Sequence, residues 1–362
     1  MDFDFSDDQQ QLRDAVRRWV DKGYTFERRR SIVEAGGFSR EVWGELAELG
    51  LTALTVPEEH GGLGLGATDV MVVMEPLAQA FVAAGVLGKH ADASVAGQWL
   101  PRVASGEALV VLAHQERQAR YRLDVCAAKA SKSGSGYTVD ATKSVVPAGD
   151  AADAFLVPAQ LDGKIALFLV ERSASGVSTH GYRTQDGSRA AELRCQAAPA
   201  TLVTADGLAA LTLAQDAANA ALCAEGVGAM EQTLKLTTEY MNQRKQFNTV
   251  IASFQALRHR VADMKMQLEL ARSMSYYASL KMSAADAERH VAIARAKVQL
   301  GQSLRFVGQQ SVQLHGGIGV TDEYAGSHYF KRLTQMEMTG GDTLHHLGIV
   351  SAKMQDTAGV FA

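Results

Sequence analysis

The chain has 362 residues, enough to bury a large core and to form two or three structural units. Charged residues make up 21% and the net charge is -4, a balance without the basic excess of a nucleic-acid-binding protein. Cys126, Cys195 and Cys223 are far apart and odd in number, which excludes a disulfide framework or a metal spacing and fits a reducing compartment.

The acidic start, "MDFDFSDDQQQLRDAV", lacks the apolar stretch of a secretory leader, and no apolar run reaches the length of a membrane span. A cytoplasmic protein is expected. From residue 6 onward apolar residues recur at intervals of three and four. Leu12, Val16, Trp19 and Val20 make one helical stripe, and Val70, Val73, Met74, Leu77 and Phe81 another. Between them "VPEEHGGLGLG" reads as a Pro/Gly loop. Its Gly62, Gly64 and Gly66 lack the preceding strand and the following Lys-Ser/Thr of a nucleoside-triphosphate loop.

The period then changes. "GSGYTVDATKSVV" and "DAFLVPAQLDGKIALFLVERS" are short β-rich runs, the second a hairpin with Asp162-Gly163 in its turn. From about residue 206 helical stripes return. Val227, Met230, Leu234, Thr237 and Met241 form one, and Leu257, Val261, Met264 and Leu268 the next. A further helix is expected to start at an N-cap Ser283 with Asp286 as its box partner, and to carry Ile293, Leu300, Leu304 and Val307 inward. The pattern predicts a mainly α fold with a small β domain. Its boundaries are an N-terminal helical domain over 1–107, a β domain over 108–204 and a helical bundle over 205–362.

Two stretches interrupt the bundle. In "RKQFNTVIASFQALRHRVADM", Arg244, Lys245, Gln246 and Phe247 suit either a solvated helix end or a site that grips an anion and a ring. In "QLHGGIGVTDEY", Gly316 and Gly317 directly follow a long helix. They suit either a glycine C-cap or close approach of a ligand to backbone N–H groups. His315 reads as a packing or hydrogen-bonding residue, and His328, His345 and His346 lack a ligand set at metal spacing.

Together these stretches resemble the acyl-CoA dehydrogenase family, and the resemblance covers nearly the whole chain. The family's Arg-x-x-Phe-Gly motif stands here as Arg244, Phe247 and Asn248, followed by Ile251, Phe254-Gln255 and Ala262-Asp263-Met264. Its Gln-x-x-Gly-Gly-x-Gly motif matches Gln313, Gly316, Gly317 and Gly319. "FSDDQQQLRDAVRRWV", "WGELAELGL" and "VPEEHGGLG" match its N-terminal domain. "YTFERRR" and "GSHYFKRLTQ" look like the small subunits of pimeloyl-CoA dehydrogenase-like heteromeric enzymes. The resemblance implies an N-terminal helical domain, a middle β-barrel-like domain and a C-terminal four-helix bundle. It implies FAD as cofactor, an acyl-CoA thioester as substrate, and FAD contacts from Arg244, Gln246, Phe247, Gln313, Gly316 and Gly317 to a neighbouring subunit's flavin.

The same resemblance exposes gaps. The family removes the substrate α-proton with a glutamate at one of two places, which fall here at Gly340 and Ala218. Asp342 and Glu337 are the nearest acids. The loop whose backbone holds the flavin ring and thioester is replaced by "AHQERQARYRLD", and in "KSVVPAG" Val145 stands for a tryptophan beside the ring. The elements lent to a neighbour's flavin are kept and those of a subunit's own chemistry are altered. That asymmetry points to the small, half-site subunit of an α2β2 enzyme with a larger dehydrogenase partner. A self-sufficient homotetramer with a displaced base, and a flavin-free acyl-CoA-binding scaffold, are the other readings.

Overall fold

The computed structural model describes residues 6–74, 82–134 and 136–357. These gather into two units, one of residues 6–26, 71–74 and 219–357, the other of 27–70, 82–134 and 136–218.

The second unit opens with most of helix α2 (Phe26–Glu34), α3 (Arg40–Glu48), the first half of α4 (Ala67–Met74), α5 (Val82–His90) and α6 (Ala93–Ala104). Ser39 caps α3 and Asp92 caps α6, each accepting a backbone N–H three residues on. Between α3 and α4 the glycine loop folds back on its own chain. The N–H groups of Leu63, Gly64 and Leu65 donate to the carbonyls of Ala53, Val56 and Leu54. A Cβ at Gly62 would lie 1.9 Å from the Val56 carbonyl oxygen. Those amides are consumed in the turn, so the loop reading holds. Val70 of the second predicted stripe is buried; Leu77 and Phe81 lie outside the described residues.

A sheet follows: β1 (Val110–Leu112), β2 (Lys129–Ser133), β3 (Gly136–Pro147), β4 (Ala154–Leu161), β5 (Lys164–Glu171), β6 (Val177–Arg183) and β7 (Arg189–Thr204). The neighbours run β4-β2-β3-β7-β5, and β5 pairs again with β4, which closes the strands into a barrel. The β4–β5 hairpin has the register Leu161↔Lys164, and Asp162 and Gly163 sit at φ 50° and 80°, the left-handed pair of a two-residue turn. Alternation along β4 sends Phe155 and Val157 to the core inside the barrel. Ala154 and Leu156 go to a second core shared with Trp99, Leu100, Leu211 and Ala214.

The first unit holds α1 (Asp7–Gly23), whose Ser6–Gln9 capping box is complete, and the greater part of α7 (Gly207–Gln243). It also holds α8 (Gln255–Lys281), α9 (Asp286–His315), α10 (Ala325–Met338) and α11 (Thr343–Thr357). The predicted stripes meet in one core of Val227, Met230, Met241, Met264, Leu268, Ile293, Leu300, Leu304 and Val307. A Cβ at Gly226 would stand 2.8 Å from the Leu300 side chain, which measures how closely α7 and α9 approach. The expected cap at Ser283 is overturned. Ala285 occupies the N-cap, and the Ser283 hydroxyl turns back to the Leu280 carbonyl at 3.4 Å. Asp286 instead pairs with the buried Arg289 at 2.7 Å.

Candidate functional site

The interruption after α7 is a β-hairpin of two-residue arms, Lys245–Gln246 and Thr249–Val250, which we number β8 and β9. The register Gln246↔Thr249 leaves Phe247 and Asn248 as the turn, at φ 53° and 62°. Both are left-handed, as the tightest hairpin turn requires. Asparagine adopts this backbone more readily than other residues with side chains, so Asn248 fills the place of the family's glycine without opening the turn. Phe247 does not favour it, yet holds it at the tip with 88% of its surface exposed. Its ring leans edge-on against Phe254, 6.1 Å between centroids. Asn248→Gly should change stability by less than about 0.5 kcal/mol, whereas the β-branched Asn248→Val should cost about 1–2 kcal/mol, as read by thermal melts.

The second motif ends α9. Gln313 is exposed, and Gly316, at φ 62°, begins a short 3₁₀ turn over Gly316–Val320. A Cβ built on Gly316 or Gly317 would meet nothing within 4 Å, so this backbone borders open space that a ligand could fill. The two motifs are joined beneath by Tyr240, which sequence reading missed, and by His315, which packs and hydrogen-bonds as expected. The Arg244 N–H donates to the Tyr240 carbonyl at 2.8 Å, and the Tyr240 ring lies 4.7 Å from that of His315, the residue before Gly316. Thus Arg244 to Phe247 and Gln313 to Gly317 belong to one corner of the bundle. Their only sequence signal was aromatic and histidine residues at the ends of two helices. Exposed Arg244, Gln246 and Phe247, with the open glycines, suit the adenylate and diphosphate of FAD: forked donors, a free ring face and uncovered backbone.

The positions expected for a base are built differently. Gly340 and Gly341 lie at φ 68° and 109°, a turn that favours glycine. At Gly341 a Cβ would be 2.6 Å from both the His345 and His346 rings. The Gly340 carbonyl accepts from Asn219 Nδ2 at 3.1 Å and from His346 Nε2 at 3.0 Å, and Lys297 Nζ donates to the carbonyls of Met336 and Thr339. Burial, then the nearby Lys297 charge, lowers the His346 pKa to about 3; burial lowers that of Lys297 to about 8. Both neighbouring acids have partners. Asp342 accepts the His345 N–H at 2.8 Å, capping α11. Glu337 is buried and accepts from Thr343 N at 3.1 Å, Thr343 Oγ1 at 2.8 Å and Arg305 at 3.2 Å. Ala218, the other position, carries only a methyl group.

In the barrel unit, Lys143 Nζ donates to Glu116 Oε1 at 2.6 Å, both side chains being buried. Burial alone would raise the Glu116 pKa. The Lys143 bond and the N–H groups of Ala127 and Ala128 outweigh it, and the pKa is lowered. His114, pushed down to about 4 by burial and then by Lys143, lies in the same loop. Val145 stands exposed at φ 51°, on a bulge where the β3–β7 register slips between Lys143 and Val146. At the position the resemblance assigns to a tryptophan, this chain thus presents a valine side chain.

Comparison with known proteins agrees with the two terminal regions. Residues 6–107 match the model of the acyl-CoA dehydrogenase N-terminal domain, and residues 205–355 that of the C-terminal domain. The chain is 31% identical to the acyl-CoA dehydrogenase IpdE2 of Mycolicibacterium smegmatis, over 90% of this chain and 92% of that protein. It is 26% identical to the acyl-CoA dehydrogenase FadE27 of Mycobacterium tuberculosis, over 99% and 100%. Among solved structures, the ChsE4-ChsE5 complex from Mycobacterium tuberculosis superposes with a TM-score of 0.90 at 26% identity, covering 99% of this chain and 100% of that one. On the motifs, the fold and these matches, the chain is a member of the acyl-CoA dehydrogenase family.

Proposed function

We propose that this chain is the small, half-site subunit of a heteromeric FAD-dependent acyl-CoA dehydrogenase of the pimeloyl-CoA dehydrogenase-like kind. It would complete the FAD site of a larger partner in an α2β2 assembly. The family's members are FAD-dependent oxidoreductases. When bound, FAD supplies the acceptor for the hydride leaving the β-carbon of the acyl-CoA thioester. The observation that carries the reading is the turn at Gly340–Gly341: it bears no carboxylate, and both adjacent acids are committed to backbone and side-chain partners. Arg244, Gln246, Phe247, Gln313, Gly316 and Gly317 would hold the partner's FAD, while the proton acceptor would come from the partner. The two-chain ChsE4-ChsE5 neighbour supports a mixed assembly. We take the working parts as 1–107, 108–204 and 205–362, which the two family-model spans support. We also infer a cytoplasmic setting, which the free Cys126, Cys195 and Cys223 support.

The test is flavin content. Purified alone, the chain should be colourless and inactive on acyl-CoA; co-expressed with its dehydrogenase partner, it should yield a yellow complex with one FAD per pair of chains. A full equivalent of FAD and acyl-CoA oxidation by the lone chain would overturn the proposal.

A further inference from the structure

We propose that Tyr240, His315 and Tyr324 form a positioning relay that holds the Phe247 hairpin and the Gly316–Gly317 loop in register for the adenylate and diphosphate of FAD. This rests on the reading that both motifs line an FAD, whichever subunit owns it. His315, the last residue of α9, is 3% exposed. Its Nδ1–H donates to the Ser311 carbonyl at 2.8 Å, which leaves Nε2 to accept the Tyr324 hydroxyl at 2.9 Å. The Tyr240 and Tyr324 rings flank the imidazole at centroid distances of 4.7 and 4.9 Å. Below it, Ser311 Oγ meets Thr237 Oγ1 at 3.0 Å, tying α9 to α7.

Each end of this chain of contacts leads to one motif. The Tyr240 carbonyl takes the Arg244 N–H, and the Arg244 carbonyl takes the Ile251 N–H at 2.9 Å, which closes the hairpin. On the other side Gly316 and Gly317 have open space where a side chain would pack, and they follow directly on the buried His315, with the Gly316 N–H held by the Val312 carbonyl. The fit is close around it. A Cβ on Gly319 would lie 3.0 Å from the His315 Cβ, and one on Gly326 would lie 2.7 Å from the Tyr324 ring. A ligand gripped by two separate backbone elements gains affinity when their spacing is set beforehand. The relay supplies that spacing.

Tyr324→Phe removes only the hydroxyl and keeps the ring. In the assembly co-expressed with its dehydrogenase partner, it should raise the FAD off-rate roughly five- to tenfold, the loss of about one hydrogen bond. Amide hydrogen exchange at Gly316–Val320 should quicken, while the melting midpoint of the flavin-free assembly falls by no more than a few degrees, the cost of about one hydrogen bond. An unchanged FAD off-rate overturns the relay, as does a fall in melting midpoint with no change in exchange at Gly316–Val320. If the unmutated assembly takes up no FAD, the functional reading fails. Exchange at 316–320 then still decides whether Tyr324 sets the loop: faster exchange supports the relay's positioning part, and unaltered exchange overturns it.

Discussion

Replacing Lys143 by Met should lower the unfolding free energy by about 3–5 kcal/mol, the typical cost of breaking a buried ion pair from one side. Lys143 is fully buried, and its ammonium lies 2.6 Å from Glu116, itself 6% exposed. Without the cation, the Glu116 carboxylate keeps the N–H groups of Ala127 at 2.7 Å and Ala128 at 3.2 Å and the weakly donating Cys126 thiol at 3.6 Å. It would then be forced to take a proton or remain a buried, unpaired charge. The double variant Lys143→Met with Glu116→Gln should recover most of the loss, since an uncharged pair needs no compensation. Urea unfolding of the four members of this cycle reads the coupling directly. A single-variant cost below about 1 kcal/mol would show that the pair does not pin the 114–124 loop to β3. This pin occupies the loop that the family would use to hold the flavin ring and thioester.

Stability should also fall as pH drops from about 6.5, by up to several kcal/mol near pH 4. His346 and His114 have folded-state pKa values lowered to about 3 and about 4 from 6.5. Below pH 6.5 the unfolded chain takes up protons that these buried imidazoles refuse. Stability is therefore complete above 6.5 and lost progressively as pH falls toward the folded values, at up to about 1.4 kcal/mol per unit per group. The lowered Glu116 adds to the loss below the carboxylate range. Lys297 acts with the same sign at the other end: the unfolded lysine holds its proton to about 10.5, the folded one to about 8, so stability rises across that window. Melting midpoints from pH 4 to 8 should fall on the acid side for the natural chain. His346→Asn should flatten the part of that slope due to His346. An identical slope in the variant would mean that other groups carry the acid limb.

The two interruptions of the helical pattern were legible because glycine, arginine and phenylalanine at fixed spacing have few structural uses, and here they meet at one corner of the bundle. The helical stripes were legible for a similar reason: a buried face repeats every three or four residues whatever it packs against. The cap at Ser283 failed because a serine at a helix boundary can serve the helix before it as well as the one after. Asp342 and Glu337 were seen as the nearest acids. Only through-space partners, Thr343, Arg305 and the α11 amides, show that both are occupied.

By itself, the sequence determined the family, the order of helical, barrel and helical parts, and the absence of a carboxylate at Gly340 and Ala218. Those follow from residue identity and local period. The tertiary structure decided what fills the resulting gaps: the Lys143–Glu116 pin, the clamped glycine turn and the Tyr240–His315–Tyr324 relay. These joined residues lie as far as 121 positions apart, as with Asn219 and Gly340. Which buried polar groups find partners depends on the packing of whole elements, and no local pattern encodes it.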